Sequence, residues 1–132
     1  MRIAARTALA AVMLLAATPL PARADSNPAG GDPANGEKLF RQCKACHTVE
    51  AGKNRVGPTL HDLFGRKAGT VDNFANYSEG LKASGIQWNA ATLDPYLANP
   101  KAVIPDSRMA FAGVAKPEDR ADLIAYLEGA TK

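Results

Sequence analysis

Cys43-Lys44-Ala45-Cys46-His47 gathers both cysteines of a 132-residue chain and one of its two histidines into five positions. On a helical segment, positions i, i+3 and i+4 share one face, so two thiols and an imidazole would project together. That set suits haem chemistry: two thioethers to the vinyl groups hold the ring edge, and His47 ligates the iron from one side. Cys-x-x-Cys-His is the attachment signature of c-type haem. Three other chemistries use parts of it. A thioredoxin-like pair needs a βαβ pattern around the motif, and none is visible. A closed zinc site wants four ligands, and only His61 and scattered carboxylates remain to complete one. An exported chain with two cysteines could also hold a simple disulfide, stapling a binding module without haem.

A haem held on both sides needs a second axial ligand. Met1, Met13 and Met109 are the three methionines, and the first two fall in a segment that reads as an address. Met109 lies in a loop between Pro105 and Gly113, outside any apolar helical stripe. A lone methionine often just fills a core gap, but a soft ligand from a loop fits here better. His/Met ligation raises the potential and suits electron transfer. His61, only 14 residues after His47 in a Gly-Pro segment, reads as a hydrogen-bonding loop histidine.

The elements that must position these groups are few. Arg2 and Arg6, the apolar run Ala8 to Ala17 and the Ala22-Arg23-Ala24 site have the order of a secretory signal peptide. The run is shorter than the roughly 20 residues of a membrane span. Residues 1–24 are therefore expected to be cleaved, 25–31 to be a flexible leader and 32–132 to form the domain. Cleavage lowers the basic count from 16 to 13, level with the 13 acidic residues, so the net +3 belongs to the discarded peptide. A nucleic-acid partner loses its support with that charge.

Asp32-Pro33 is a helix start, and that helix should run through Leu39 and Phe40 to the cysteines. Residues 48–72 contain too many glycines and prolines for a long element. Asn89 can cap a second helix bearing Leu93, Tyr96 and Leu97, with Pro95 kinking or shortening it and Pro100 stopping it. A third helix opens at Pro117, with Glu118 and Asp119 favouring its dipole and Leu123, Ile124 and Leu127 on its apolar face. No period-2 pattern stands out. The expectation is an all-α single domain of three main helices and loops, too thin a core unless something large and apolar fills its centre.

Several motifs in a fixed order sharpen this reading. They are Cys43-x-x-Cys46-His47, Gly57-Pro58-Thr59-Leu60-His61, Leu63-Phe64-Gly65-Arg66, Gly85-Ile86-Gln87-Trp88, Tyr96-Leu97-Ala98-Asn99-Pro100, Ile104 to Gly113 and Asp122 to Leu127. With them the chain resembles the mitochondrial-type cytochrome c family and its soluble bacterial relatives, from about Gly36 to Thr131. The resemblance implies that the backbone oxygen of Pro58 orients His47. It gives Arg66, Tyr77 and Trp88 contacts to the haem propionates, sets Ser107 beside a propionate and puts Tyr96 near the methionine sulfur. It also implies that Gly36 and Phe40 meet Leu123 and Tyr126 where the first and last helices cross. Leu81 departs from a common asparagine beside the methionine, and Arg108 from a lysine.

The function expected is an exported, periplasmic one-electron carrier, monomeric and not an enzyme, with one haem c ligated by His47 and Met109. If Met109 did not ligate, an open-site haem protein with peroxidase or gas-binding activity would result. Redox partners would dock at the haem edge, with Lys44, Lys53, Lys82, Lys101 and Arg108 as candidate cations.

Overall fold

Asp32 opens the first helix as its sequence predicts. The computed structural model describes residues 30–132, so the expected signal peptide and residues 25–29 of the leader lie outside the described residues. Helix α1 spans Pro33–Phe40, with Pro33 at its first position and Asp32 Oδ1 accepting the Ala34 N–H at 2.9 Å. The chain does not continue as α-helix into the cysteines. Cys43–Ala45 form a 3₁₀ turn, although the His47 N–H still donates to the Cys43 carbonyl at 2.9 Å. That single helical bond keeps His47 one turn beyond Cys43, so the spacing argument survives the change of element.

Five α-helices occur among the described residues, and the three expected from sequence are the longest. α2 (Glu79–Ala83) adds to the three expected helices: Ser78 caps its start and Ser84 its end, but five residues are too few to show a period in the sequence. α3 (Ala90–Ala98) starts on a reciprocal pair in which Asn89 Oδ1 accepts the Thr92 N–H and Thr92 Oγ1 accepts the Asn89 N–H. It continues past Pro95 to Ala98, the proline costing one backbone bond without ending the element. Pro100 both stops α3 and begins α4 (Pro100–Val103), which Asn99 caps. α5 (Pro117–Ala130) buries the expected Leu123, Ile124 and Leu127. The loops between carry one isolated antiparallel bridge, Lys67 to Gln87, flanked by the Trp88 N–H donating to the Arg66 carbonyl at 2.9 Å.

α1 crosses α5 at Gly36. A Cβ there would lie 2.0 Å from the Asp122 carbonyl oxygen, so only glycine lets the backbones approach. Asp122 locks the crossing, accepting the Asp32 N–H at 2.6 Å and the Asn35 amide at 2.8 Å. Phe40 and Leu123 are fully buried beside it, and the Phe40 and Tyr126 rings lie 5.2 Å apart. Overpacking of a tight core costs about 1–3 kcal/mol. Gly36→Ala should therefore lower the unfolding free energy by about 1–3 kcal/mol, read as a lower denaturant midpoint with an unchanged slope; an unmoved midpoint would refute this view of the crossing. Two residues before Asp122, Arg120 donates to Asp94 on α3 at 2.8 Å and to the Val114 and Ala115 carbonyls. It fastens the loop after Met109 to both helices.

Candidate haem site

The helices and loops close around a cavity of about 270 Å³. All ten residues singled out by sequence line it: Cys43, Cys46, His47, Pro58, Arg66, Tyr77, Trp88, Tyr96, Ser107 and Met109. His61 does not, and its ring instead approaches the Asp62 carboxylate at 3.4 Å. The rest of the wall is mostly apolar, with Leu63, Leu93, Leu97, Leu123 and Leu127 shared with the core.

The tautomer of His47 is set by its backbone partner. Its Nδ1 lies 2.7 Å from the Pro58 carbonyl oxygen. A carbonyl can only accept, so Nδ1 carries the proton and the Nε2 lone pair is left available. Burial, with Arg66 nearby, lowers the His47 pKa, and the Pro58 contact only partly opposes this. The imidazole is neutral at physiological pH, as a metal ligand must be. Gly57 was not assigned a role from sequence, yet a Cβ there would lie 2.5 Å from the imidazole Cε1. Its place in Gly57-Pro58 was the only signal.

Both cysteines are free thiols on the wall. Burial, reinforced by Cys46, pushes the Cys43 thiol up to about 11. A redox pair of the thioredoxin type needs a depressed thiol pKa, so the local electrostatics oppose that chemistry. No cluster of three or more metal-ligating residues occurs among the described residues, which leaves the zinc reading without partners.

Arg66 is a cation on the cavity wall. It is half-buried, and its guanidinium donates only to carbonyls, those of His61 and Thr59. Burial lowers its pKa, with Tyr77 and Asp62 opposing. A desolvated cation without a bonded carboxylate suits an anionic group on whatever enters the cavity. The Tyr77 hydroxyl, raised in pKa mainly by burial, accepts the Val71 N–H at 3.3 Å. Tyr96, also raised by burial, faces the Ser107 side chain and packs at a tilt of 55° against Trp88 with centroids 4.9 Å apart. Haem fits each part of this donor set: two thiols for its edge, a neutral imidazole for its iron, apolar walls for its macrocycle and a cation for its carboxylates.

An all-α chain wound about such a cavity, with Cys-x-x-Cys-His on its wall, defines a c-type haem protein. The Cytochrome c family model matches residues 33–131. Cytochrome c2 of Rhodomicrobium vannielii is 52% identical over 100 residues, covering 75% of this chain and 79% of that protein. Cytochrome c of Gibberella zeae is 52% identical over 106 residues, covering 79% and 99%. Cytochrome c2 iso-2 of Magnetospirillum fulvum is 52% identical over 95 residues, covering 72% and 98%. The chain belongs to the cytochrome c family, the class I c-type cytochromes, and carries one covalently bound haem c.

Proposed function

We propose that this chain is a one-electron carrier in which His47 and Met109 both ligate the haem iron and Cys43 and Cys46 form its thioethers. The observation that carries the reading is a neutral His47, oriented through Pro58, sharing one apolar cavity with the sole methionine beyond residue 24. Bound there, the haem supplies a ferrous/ferric couple. The residues do the rest. His47 and Met109 would hold the iron between them and leave no site for a substrate, so the protein would act as a carrier and not as an enzyme. Leu63, Leu93, Leu97 and Leu123 keep water away and limit reorganisation, while Arg66, Tyr77, Trp88 and Ser107 receive the propionates. Tyr96 lies by the methionine. Burial and hydrogen bonding of this kind tune potential.

We assign residues 1–24 to a cleaved signal peptide, 32–132 to the domain and the mature monomer to the periplasm. No helix among the described residues is long and apolar enough to cross a membrane. An absorbance spectrum of protein from a haem-attaching, export-competent host tests the core of this reading. Low-spin bands with the far-red methionine–iron feature are expected. A high-spin spectrum that changes with carbon monoxide would overturn His/Met ligation.

Partners would dock near the thiol turn. Two of the five candidate cations are weaker than they looked, since Lys53 pairs with Glu50 and Lys82 with Glu79. Lys44 lies 5.9 Å above the Phe40 ring, and Arg108 bonds the neutral Asn76. Among the described residues, Lys44, Lys101 and Arg108 thus have no carboxylate at ion-pair distance. Steering by so few charges fades with salt. With an acidic redox partner, Lys44→Gln should slow electron transfer about twofold at low salt and converge with the native rate near 1 M. Native rates that stay flat across that range would exclude the patch.

A further inference from the structure

The loop that carries Met109 is fastened on two sides. Inward, Ser107 faces Tyr96 and its Oγ accepts the Met109 N–H at 3.3 Å. Outward, the Asp106 carboxylate accepts the Gly80 N–H at 2.8 Å. The Ser78 hydroxyl, which accepts the Leu81 N–H at 3.2 Å, has its own proton left for the same carboxylate. Gly80 is what admits Asp106, because a Cβ there would sit 2.3 Å from Asp106 Oδ1. Two residues along, Arg108 Nη1 donates to Asn76 Oδ1 at 2.8 Å. The two side chains therefore reach back 26 and 32 residues to a single stretch of chain. Both stretches are lips of the same cavity: Asn76, Tyr77 and Ser78 line one side, Ser107, Arg108 and Met109 another. Leu81, just beyond, faces that cavity with an apolar side chain that can make no such contact.

We propose that Asp106 and Arg108 are positioning residues that clip the Met109 loop to residues 76–80 and so slow the methionine's displacement by competing ligands. The inference rests on Met109 being the second axial ligand. The Asp106 carboxyl is held below its usual range, first by the Gly80 N–H and further by Ser78 and Arg108, as a working acceptor would be. Both residues are exposed, so neither contact does much for global stability. Their leverage is local. Opening a short loop requires far less free energy than unfolding the domain, and surface contacts govern such sub-global openings.

The test uses holoprotein and imidazole as the competing ligand. In ferric Asp106→Ala the far-red methionine band should persist, while imidazole replaces the methionine roughly two- to tenfold faster, the factor one ordinary net hydrogen bond supplies. Amide exchange at Gly80 should rise in step, and the denaturant midpoint should barely move. Asp106→Asn keeps an acceptor for the Gly80 N–H and should recover part of the native rate. Arg108→Gln should accelerate replacement less than Asp106→Ala. A native far-red band with unchanged imidazole rates in both Asp106→Ala and Arg108→Gln sinks the clip alone. Faster replacement matched by an equal fall in global stability also sinks it, since the residues would then be ordinary structural ties. A native protein without the far-red band removes the Met109 reading and the clip with it.

Discussion

Met109→Ala is expected to abolish the far-red methionine–iron band and lower the midpoint potential by on the order of 0.2 V, within the roughly 0.8 V that axial ligands span. The reasoning runs from residue inventory to coordination. His61 is the one histidine besides His47, and it lies off the cavity wall. Alanine therefore leaves no nearby soft or imidazole donor, and a neutral thioether that favours the ferrous state is lost. The variant should also bind carbon monoxide in its ferrous form, which the native protein should resist. Spectroelectrochemical titration reads the potential, and carbon monoxide difference spectra read the opened position. An unchanged potential and band would move the second ligand elsewhere and end the carrier reading as stated.

The second large effect concerns the haem itself. Protein made without haem attachment, or as the Cys43→Ala, Cys46→Ala double variant, should not fold cooperatively. Phe40, Leu63, Trp88, Leu93, Leu97, Leu123 and Leu127 belong both to the core and to the cavity wall. At roughly 24 cal/mol per Å³, a 270 Å³ void costs about 6 kcal/mol. Typical domain stability is about 5–15 kcal/mol, so a loss of that size matches the whole stability of a marginal domain. Near-UV circular dichroism from Trp88 should be flat and the thermal transition absent. A sharp transition in the haem-free chain would show that the protein core suffices alone.

Local rules are what made the site readable beforehand. Cys43, Cys46 and His47 fall within five consecutive positions, and Asp32-Pro33, Asn89 and Pro117 mark helix starts through their own backbone preferences. Met109 stood out because it is alone in its loop. The elements that escaped notice depend on distant or marginal partners. α2 is too short to leave a hydrophobic period, and the 3₁₀ turn differs from α-helix by backbone torsions to which Cys43-Lys44-Ala45 give no clue. Pro95 was expected to disturb α3, yet the Asn89–Thr92 pair and the buried Tyr96 and Leu97 hold that helix through the missing bond. The contacts of Asp122 with Asp32, Arg120 with Asp94 and Asp106 with Gly80 join residues 26 to 90 positions apart. Nothing at either end of such a pair announces the other, and only the fold brings them together.

The Gly36–Asp122 crossing also sets a timetable for synthesis. α1 precedes the thiol turn by only a few residues, whereas its mate is the last helix of the chain. A growing polypeptide emerges from its amino end, so Cys43, Cys46 and His47 are made long before residues 117–130 exist to pin α1 down. Closing a loop of some 90 residues is entropically slow, which lengthens that interval. Until the final helix docks, the two thiols sit on an unanchored segment, accessible to whatever chemistry must reach them.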